Sequence, residues 1–274
     1  MAKALTIAGS DSSGGAGIQA DLKTFAAFGV YGCSVITAIT AQNTKGVTAV
    51  HALPPGIVQE QLEAVLSDIE PDVIKLGMLA NASIIHAISQ VLRRYPKKPL
   101  ILDPVMSAKS GDCLLEPEAL RSLQNELFPL ATLVTPNIPE AEILIEQTIA
   151  SEEDMAEAAR RIFKLGVHAV LVKGGHVGQF QEPAGAKRDE IVDVYWDGKA
   201  IHKISGPRID TPHTHGTGCT LSSAIAAGLA FGHPLLAAIQ QARQYLTGAL
   251  QNAYAVGSGK SPVDHFHQWR KKED

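Results

Sequence analysis

The chain has 274 residues, of which 45% are hydrophobic and 19% are charged, and its formal net charge is −4. This balance is typical of a folded globular protein and excludes an intrinsically disordered one. The sequence has no long basic block, so it predicts no nucleic-acid partner. Three cysteines without CxxC spacing favour reduced thiols over a disulfide framework or a zinc site.

The N-terminal apolar segment is too short for a signal peptide, and no apolar run approaches the ~20 residues of a membrane span. We therefore expect a soluble, cytoplasmic protein that does not bind a membrane.

Short apolar runs alternate with segments of helical periodicity along most of the chain. Buried strands are predicted at residues 5–8, 35–39, 73–76, 100–102, 132–134 and 169–172. The apolar positions of the helix after the first strand are Ile18, Leu22, Phe25 and Ala26. Those of the helix before the strand at 73–76 are Val58, Leu62, Val65, Leu66 and Ile69. This alternation predicts an α/β fold of three layers, with a mostly parallel central sheet between helices.

A β-hairpin is predicted at residues 191–204, because two apolar runs flank Asp197-Gly198. The polar stretch 178–189 before it is either a flap over a site or an ordinary surface loop. Neither a change in composition nor an internal repeat indicates a second domain, so we expect one domain over residues 1–274.

The glycine-rich run THGTGC at 214–219 precedes a helical stretch of small residues at 221–230. Its glycines allow close approach to a ligand, and the N–H groups at a helix start suit a phosphate. A cysteine at that end, Cys219, is expected to be a thiolate near pH 7, because the positive end of the helix lowers a thiol pKa. The run therefore predicts phosphoryl transfer. The alternative is that Cys219 packs the helix start as a small hydrophobe.

Other strand ends also carry polar residues, as expected where ligands bind a parallel sheet. The loop at 9–17 resembles a phosphate loop without matching a known phosphate-loop motif, and Asp11 within it favours a ligand contact over a plain turn. Gln42 can read the donor and acceptor edge of an aminopyrimidine, although a polar strand end is the simpler interpretation. The run GSGKS at 257–261 lacks the Walker A spacing and is predicted to be a loop.

Charged side chains follow three later strands. Asp103 can act through a metal, hold a polar network or cap a turn, and Lys109 can meet a phosphate. Asn137 and Glu140 have the spacing of a capping box, and they could alternatively orient magnesium-bound water. Lys173, before two glycines, can contact nucleotide phosphates.

Four histidines near the C-terminus do not form the helix-spaced pattern of a zinc site, so no zinc is predicted. They are His213, His215, His265 and His267, and the last two fall in a predicted C-terminal tail.

In their order and spacing, these motifs resemble the ribokinase-like superfamily and, within it, the hydroxymethylpyrimidine and phosphomethylpyrimidine kinases of thiamine biosynthesis. The resemblance covers nearly the whole chain. Its most specific motifs are GGAGIQADLKT at 14–24, AQNT at 41–44, KLGML at 75–79, AKSG at 108–111 and THGTGC at 214–219. One departure is His213, where asparagine would be commoner.

The resemblance implies a role for each matching position. Gln42 would bind the pyrimidine edge, in a pocket lined by Gly9, Ala16, Met78 and Val105. The anion hole around the transferred phosphoryl group would be formed by Gly216, Thr217 and Gly218. Cys219 stands where many ribokinase-like enzymes have an aspartate base, as it does in the pyrimidine kinases and in a cysteine-type subset of pyridoxal kinases.

The same resemblance implies ATP as co-substrate and Mg²⁺ bound with it. Asn137 and Glu140 match the motif for magnesium and phosphate, and Lys173 matches the lysine on the nucleotide side. We expect no direct protein ligand to Mg²⁺, which would be reached through water on Glu140 or Asp103.

The expected activity is therefore two successive ATP-dependent transfers, first to 4-amino-5-hydroxymethyl-2-methylpyrimidine and then to its monophosphate. A cysteine-type pyridoxal or pyridoxine kinase is the alternative enzyme. A non-catalytic module that senses the pyrimidine is the alternative from another class. We also expect a homo-oligomer, with a dimer favoured.

Overall fold

The computed structural model describes residues 1–106, 116–175 and 189–270. Within these ranges one nine-stranded sheet has the order β3-β2-β1-β4-β5-β6-β7-β8-β9. Its strands are β1 (Lys3–Asp11), β2 (Tyr31–Asn43), β3 (Gly46–Ala52), β4 (Val73–Leu76), β5 (Leu100–Leu102), β6 (Leu133–Val134), β7 (Val170–Val172), β8 (Glu190–Trp196) and β9 (Ile201–Pro207).

Eight α-helices are present in the same ranges. They are α1 (Gly17–Ala27), α2 (Pro55–Asp68), α3 (Ala82–Leu92), α4 (Pro117–Ser122), α5 (Ile138–Ile145), α6 (Glu152–Phe163), α7 (Thr217–Ala230) and α8 (Leu235–Gln251). A π-helical turn (Leu123–Leu127) and a 3₁₀ turn (Phe128–Leu130) follow α4.

The sheet is mostly parallel, as predicted. Strands β2, β1, β4, β5, β6 and β7 pair in parallel, and β8 and β9 continue the sheet as the predicted antiparallel hairpin. The sequence patterns did not predict β3, which pairs antiparallel to β2 at the edge of the sheet. Most of its side chains are exposed, so it lacks the apolar run by which the buried strands were found.

Helices cover both faces of the sheet and complete the three predicted layers. One core lies under α2 to α6 and contains Leu5 and Ile7 of β1, whereas the other lies under α1, α7 and α8 and contains Ala4. Successive strand residues face opposite layers because side chains alternate across a strand.

The predicted buried face of α1 is wrong at Ala26, which is exposed. Because α1 packs against both β1 and α7, its buried positions extend around the helix. They are Ile18, Ala20, Asp21, Thr24, Phe25 and Ala27.

The segment after α8 is packed against the domain, and the prediction that His265 and His267 lie in a tail is wrong. The His265 side chain is buried, and Tyr245 Oη donates to its carbonyl oxygen over 2.6 Å. Trp269 Nε1 donates to Ala27 O over 3.3 Å, which attaches the segment to the end of α1. The run at 257–261 is a loop, as predicted.

Candidate active site

A cavity of about 690 Å³ opens at the carboxyl ends of the parallel strands, where the sequence predicted a ligand site. Its walls include fourteen of the predicted site residues: Gly9, Asp11, Ala16, Gln42, Met78, Asp103, Val105, Asn137, Glu140, Lys173, Gly216, Thr217, Gly218 and Cys219. Lys109 and nearly all of the loop predicted at 178–189 lie outside the described residues.

The loop between β1 and α1 is organised by the carboxylate of Asp11. That carboxylate accepts hydrogen bonds from Ser13 N and Ser13 Oγ, from Gly15 N and Ala16 N, and from His215 Nε2 over 2.8 Å. Burial alone would raise the pKa of Asp11, but the bonds from His215 and Ser13 lower it to about 2. These contacts favour a role in holding the loop, and a direct contact of Asp11 with substrate stays a prediction.

This loop and the start of α7 fit together at two glycines. Gly216, the N-cap of α7, has a φ of +75°, and a Cβ there would overlap the carbonyl oxygen of Gly15. A side chain at Gly15 would in turn overlap the His215 ring. The backbones can approach this closely only because both residues lack side chains.

The first turn of α7 presents its N-terminal end to the cavity at Thr217, Gly218 and Cys219. Backbone N–H groups and the positive end of the helix dipole suit an anion at this position. A Cβ on Gly218 would lie 3.3 Å from Asp103 Oδ2 and 3.4 Å from Lys173 Nζ. The helix end therefore directly adjoins the charged residues that follow β5 and β7.

Asp103 and Lys173 form an ion pair with 2.7 Å between Oδ1 and Nζ, and Thr135 Oγ1 donates to the same oxygen. Burial works against both charges, but Lys173 lowers the pKa of Asp103, and Asp103 raises the pKa of Lys173. Of the predicted roles for Asp103, the polar network is confirmed. The pair fixes the Lys173 ammonium group at the cavity wall, with its charge balanced by Asp103.

Asn137 and Glu140 form the predicted capping box at the start of α5. Asn137 Oδ1 accepts from Glu140 N over 2.9 Å, and Glu140 Oε2 accepts from Asn137 N over 2.8 Å. Burial raises the pKa of Glu140 to about 7, although nearby Lys173 opposes the shift. The capping role is thus confirmed, and the role toward magnesium stays a prediction.

Cys219 faces the cavity, but the expectation of a thiolate near pH 7 is wrong for the protein without bound ligands. Burial raises the pKa of Cys219 to about 11, and the nearby charge of Lys75 only partly offsets it. The free energy needed to move a thiolate out of water exceeds the stabilisation that Lys75 and the hydrogen bond from the Gly17 backbone provide.

Three site residues were missed by sequence reasoning. His215, considered earlier only as a metal ligand, contacts Asp11, and its Nε2 lies 3.3 Å from Gln42 Nε2. Lys75 and Arg243 are buried charged residues that also line the cavity. A lysine inside the apolar run of β4 was the one signal that could have identified a buried charge in advance.

Within the ranges that the structure describes, no group of three or more His, Cys, Asp or Glu side chains is placed to hold a metal ion. None of the helices described there combines the length and apolarity needed to cross a membrane.

A helix start next to a buried lysine–aspartate pair is suited to moving a phosphoryl group to a small molecule. Comparison with known proteins gives the same class, a ribokinase-like kinase. A family model described as phosphomethylpyrimidine kinase matches residues 11–264. A hydroxymethylpyrimidine/phosphomethylpyrimidine kinase of Rhizobium meliloti (strain 1021) is 52% identical over 271 residues, which cover 98% of this chain and 98% of that protein. The chain belongs to the phosphomethylpyrimidine kinase family.

Two solved structures show how widely the fold is shared. A phosphomethylpyrimidine kinase from Clostridium difficile 630 has a TM-score of 0.78 and 45% identity, covering 91% of this chain and 100% of that one. An ADP complex of Bacillus subtilis pyridoxal kinase has a TM-score of 0.89 and 37% identity, covering 99% of this chain and 100% of that one.

Proposed function

We propose that this chain phosphorylates 4-amino-5-hydroxymethyl-2-methylpyrimidine and then its monophosphate, using ATP, as a step of thiamine biosynthesis. The observation that carries the proposal is the contact of Gln42 with His215, just before the start of α7. Gln42 Nε2 lies 3.3 Å from Nε2 of His215, the residue next to Gly216 at the start of α7. An amide able to read an aminopyrimidine edge therefore lies beside the anion-binding helix end.

The chain's own groups account for the chemistry of transfer. The N–H groups of the first turn of α7 would stabilise the phosphoryl oxygens, and Lys173 would offset the charge that develops on them. Cys219 would accept the proton of the attacking hydroxyl in the first transfer. In the second, the attacking group is an ionised phosphate oxygen, which needs no base. Positioning and charge supply most of the acceleration in reactions of this kind, and a general base adds about 10²–10⁴-fold.

Mg²⁺ would accompany the nucleotide, and the residues present fit it. The oxygen donors of Asp103, Asn137 and Glu140 are the type that Mg²⁺ prefers, and this ion keeps several waters and takes few protein ligands. It would neutralise phosphate charge when bound. The residues of this chain would contact it through water, on Glu140 or Asp103.

A coupled ATP-consumption assay on the free pyrimidine, its monophosphate and pyridoxal tests the proposal. We expect turnover with the first two substrates and, in Cys219→Ala, a loss of about 10²–10⁴-fold with the free pyrimidine. Equal turnover of wild type and Cys219→Ala would remove the base role. Binding of the pyrimidine without ATP consumption would instead support a sensing module.

Pyridoxal phosphorylation is the second candidate activity, favoured by the close match of fold to a pyridoxal kinase. Both candidate substrates carry a hydroxymethyl group and would compete for the same site. Comparing their kcat/KM values at equal concentration shows which one the enzyme prefers. A larger kcat/KM for pyridoxal would reverse the assignment.

We further propose that the chain is a single-domain, cytoplasmic protein that forms a homodimer. Exposed Ile39 lies on β2, next to the edge strand β3, and would be covered by a second copy. Light scattering after size-exclusion chromatography measures the mass, and a monomer at micromolar concentration would exclude the dimer.

A further inference from the structure

Gln42 is held at the cavity wall by its backbone and by its side chain separately. Its backbone exchanges two hydrogen bonds with Ser12: Gln42 N donates to Oγ over 2.9 Å, and Oγ donates to Gln42 O over 2.8 Å. The carboxamide lies between His215 and Thr40, with Nε2 3.3 Å from His215 Nε2 and Oε1 3.2 Å from Thr40 Oγ1. A half-turn of the carboxamide exchanges its two ends without changing its shape, so hydrogen bonding alone decides between them.

The contact with Asp11 decides which atom His215 can accept as a neighbour. His215 Nε2 lies 2.8 Å from Asp11 Oδ2, and this carboxylate stays ionised because its pKa is about 2. A carboxylate only accepts hydrogen bonds, so Nε2 of His215 must carry a proton. Nε2 is therefore a donor, and a second donor, the Gln42 amide nitrogen, is unfavourable at 3.3 Å.

The hydrogen bonds of Thr40 independently favour the same orientation of the Gln42 amide. Its hydroxyl has one proton, and Oγ1 lies 2.9 Å from Ser10 O. A carbonyl oxygen only accepts, so this hydrogen bond uses that proton. With Oε1 of Gln42 also facing Oγ1, two acceptors would share a single proton. With the amide nitrogen there instead, the Thr40 hydroxyl would donate to Ser10 and accept from Gln42.

One half-turn of the carboxamide replaces the contact between two donors at His215 and leaves the Thr40 proton to Ser10 alone. Gln42 Oε1 then shares the Nε2–H of His215 with Asp11, which costs less than two donors facing each other. We infer that His215 and Thr40 are positioning residues that fix Gln42 with Oε1 toward His215 and Nε2 toward Thr40, and so set the order of donor and acceptor that a substrate edge must present. Each end of the amide keeps one further hydrogen-bonding site for a ligand, a lone pair on the oxygen and an N–H on the nitrogen.

This inference rests on the proposed function, in which Gln42 contacts the pyrimidine. A 4-aminopyrimidine offers an amino donor beside a ring-nitrogen acceptor, which matches the fixed amide with its amino group on the His215 side. The 4-oxo analogue offers the reverse, a carbonyl acceptor beside a ring N–H. It would need Gln42 to turn back into both conflicts, and it cannot simply turn over itself because its hydroxymethyl group must face α7.

The test is the ratio of affinities for the 4-amino pyrimidine alcohol and its 4-oxo analogue, measured by isothermal titration and as kcat/KM. Wild type is expected to prefer the amino compound by roughly 10- to 100-fold, because the wrong edge leaves buried polar groups unpaired. His215→Leu should narrow that preference. His215→Leu combined with Thr40→Val should bring it to within about threefold, since the amide then turns freely.

Ser12→Ala is the matched control, because Ser12 contacts the backbone of Gln42 and not its amide. It should weaken both ligands equally and leave their ratio unchanged. Thr40→Val alone, which keeps the shape of the side chain, serves if His215→Leu does not fold.

An unchanged ratio in folded variants, with both ligands weakened alike, would overturn the inference while the proposed function stands. If wild type does not phosphorylate the amino compound, the proposed function fails, and the inference falls with it.

Discussion

Lys75 Nζ lies 2.9 Å from each carboxylate oxygen of Asp21, and both side chains are completely buried. Thr6 Oγ1 and Ser223 Oγ donate to the same carboxylate over 2.6 and 2.7 Å. The pair therefore connects β4, α1, β1 and α7 at one point. Although burial lowers the pKa of Lys75, Asp21 outweighs it and raises the pKa above its ordinary value, so the lysine is charged.

Replacing one member of this pair should strongly destabilise the protein. Lys75→Met leaves the Asp21 carboxylate buried without its cation, and the expected loss in free energy of unfolding is about 3–5 kcal/mol. Urea denaturation at neutral pH measures the loss. The double variant Lys75→Met/Asp21→Asn removes both charges, and its amide can accept from one of the Thr6 and Ser223 hydroxyls and donate to the other. It should therefore lose clearly less than Lys75→Met alone. Equal losses would show that charge compensation is not what the pair contributes.

The raised pKa of Cys219 predicts the pH dependence of catalysis. Below a pKa of about 11 the thiolate fraction grows with pH, so log kcat/KM for the free pyrimidine should rise by about one per pH unit between pH 7 and pH 9. Iodoacetamide should also modify Cys219 at pH 7 more slowly than it modifies a free cysteine.

Cys33→Ala is the control for both measurements, because Cys33 lies buried in β2 away from the cavity walls. The slope should persist in Cys33→Ala and disappear in Cys219→Ala. A flat profile in wild type at full activity would contradict a thiolate base.

Gly216 should tolerate no side chain, because its left-handed φ of +75° and the overlap with Gly15 act together. Gly216→Ala would move the N–H groups of the first turn of α7, which the proposed function assigns to phosphate, and a displacement of that size costs about 100-fold in kcat. Gly29 is the matched control: its φ is +73°, and no described atom lies within 4 Å of an added Cβ. Gly29→Ala should cost about 1 kcal/mol of stability and leave kcat unchanged. Similar kcat losses in both variants would indicate a general effect of backbone strain.

His265 should make the protein acid-sensitive. Its Nε2 lies 3.1 Å from Thr220 Oγ1, which donates to Gly216 O, so the ring supports the start of α7. Burial, with help from nearby Lys23, lowers the pKa of His265 from 6.5 to about 4. The unfolded chain therefore binds this proton first, and the stability present above pH 6.5 is lost as pH falls toward 4, by about 2–3 kcal/mol.

Denaturation midpoints at pH 7.5, 6 and 5 measure this loss. His265→Gln keeps a donor near Thr220 but does not titrate, so its stability should fall less than that of wild type over this range. His233→Gln, at an exposed position, should follow wild type. Parallel curves for all three proteins would rule out His265 as the acid-sensitive group.

Local patterns were sufficient for the buried strands and the hairpin. β4 and β5 have the predicted bounds because apolar runs between polar residues leave one buried segment possible, and Asp197-Gly198 permits the tight turn before β9. The edge strand β3 could not be found in this way, because exposed side chains give no period from which to predict it.

The residues that line the cavity could be predicted because strand-end residues in a parallel sheet meet at one edge. Gln42, Asp103, Lys173 and Cys219 line one cavity although they are far apart in the chain. The protonation of Cys219 could not be predicted in this way. The pattern at 214–219 predicts a low thiol pKa from the helix end, whereas burial raises that pKa. Desolvation depends on every atom packed around a group, which a local motif does not contain.

The sequence by itself thus determined the class of fold, the strands whose ends line the cavity and the glycine-rich run at 214–219 as part of its wall. Only the tertiary structure decided how that run is supported. Asp11 and His215 are 204 positions apart in the chain, yet Oδ2 of one lies 2.8 Å from Nε2 of the other. Lys75 of β4 forms an ion pair with Asp21 of α1. The physical reason is that hydrogen bonds and burial depend on distances in space. Side chains from separate strands and helices come together only when the whole domain has folded.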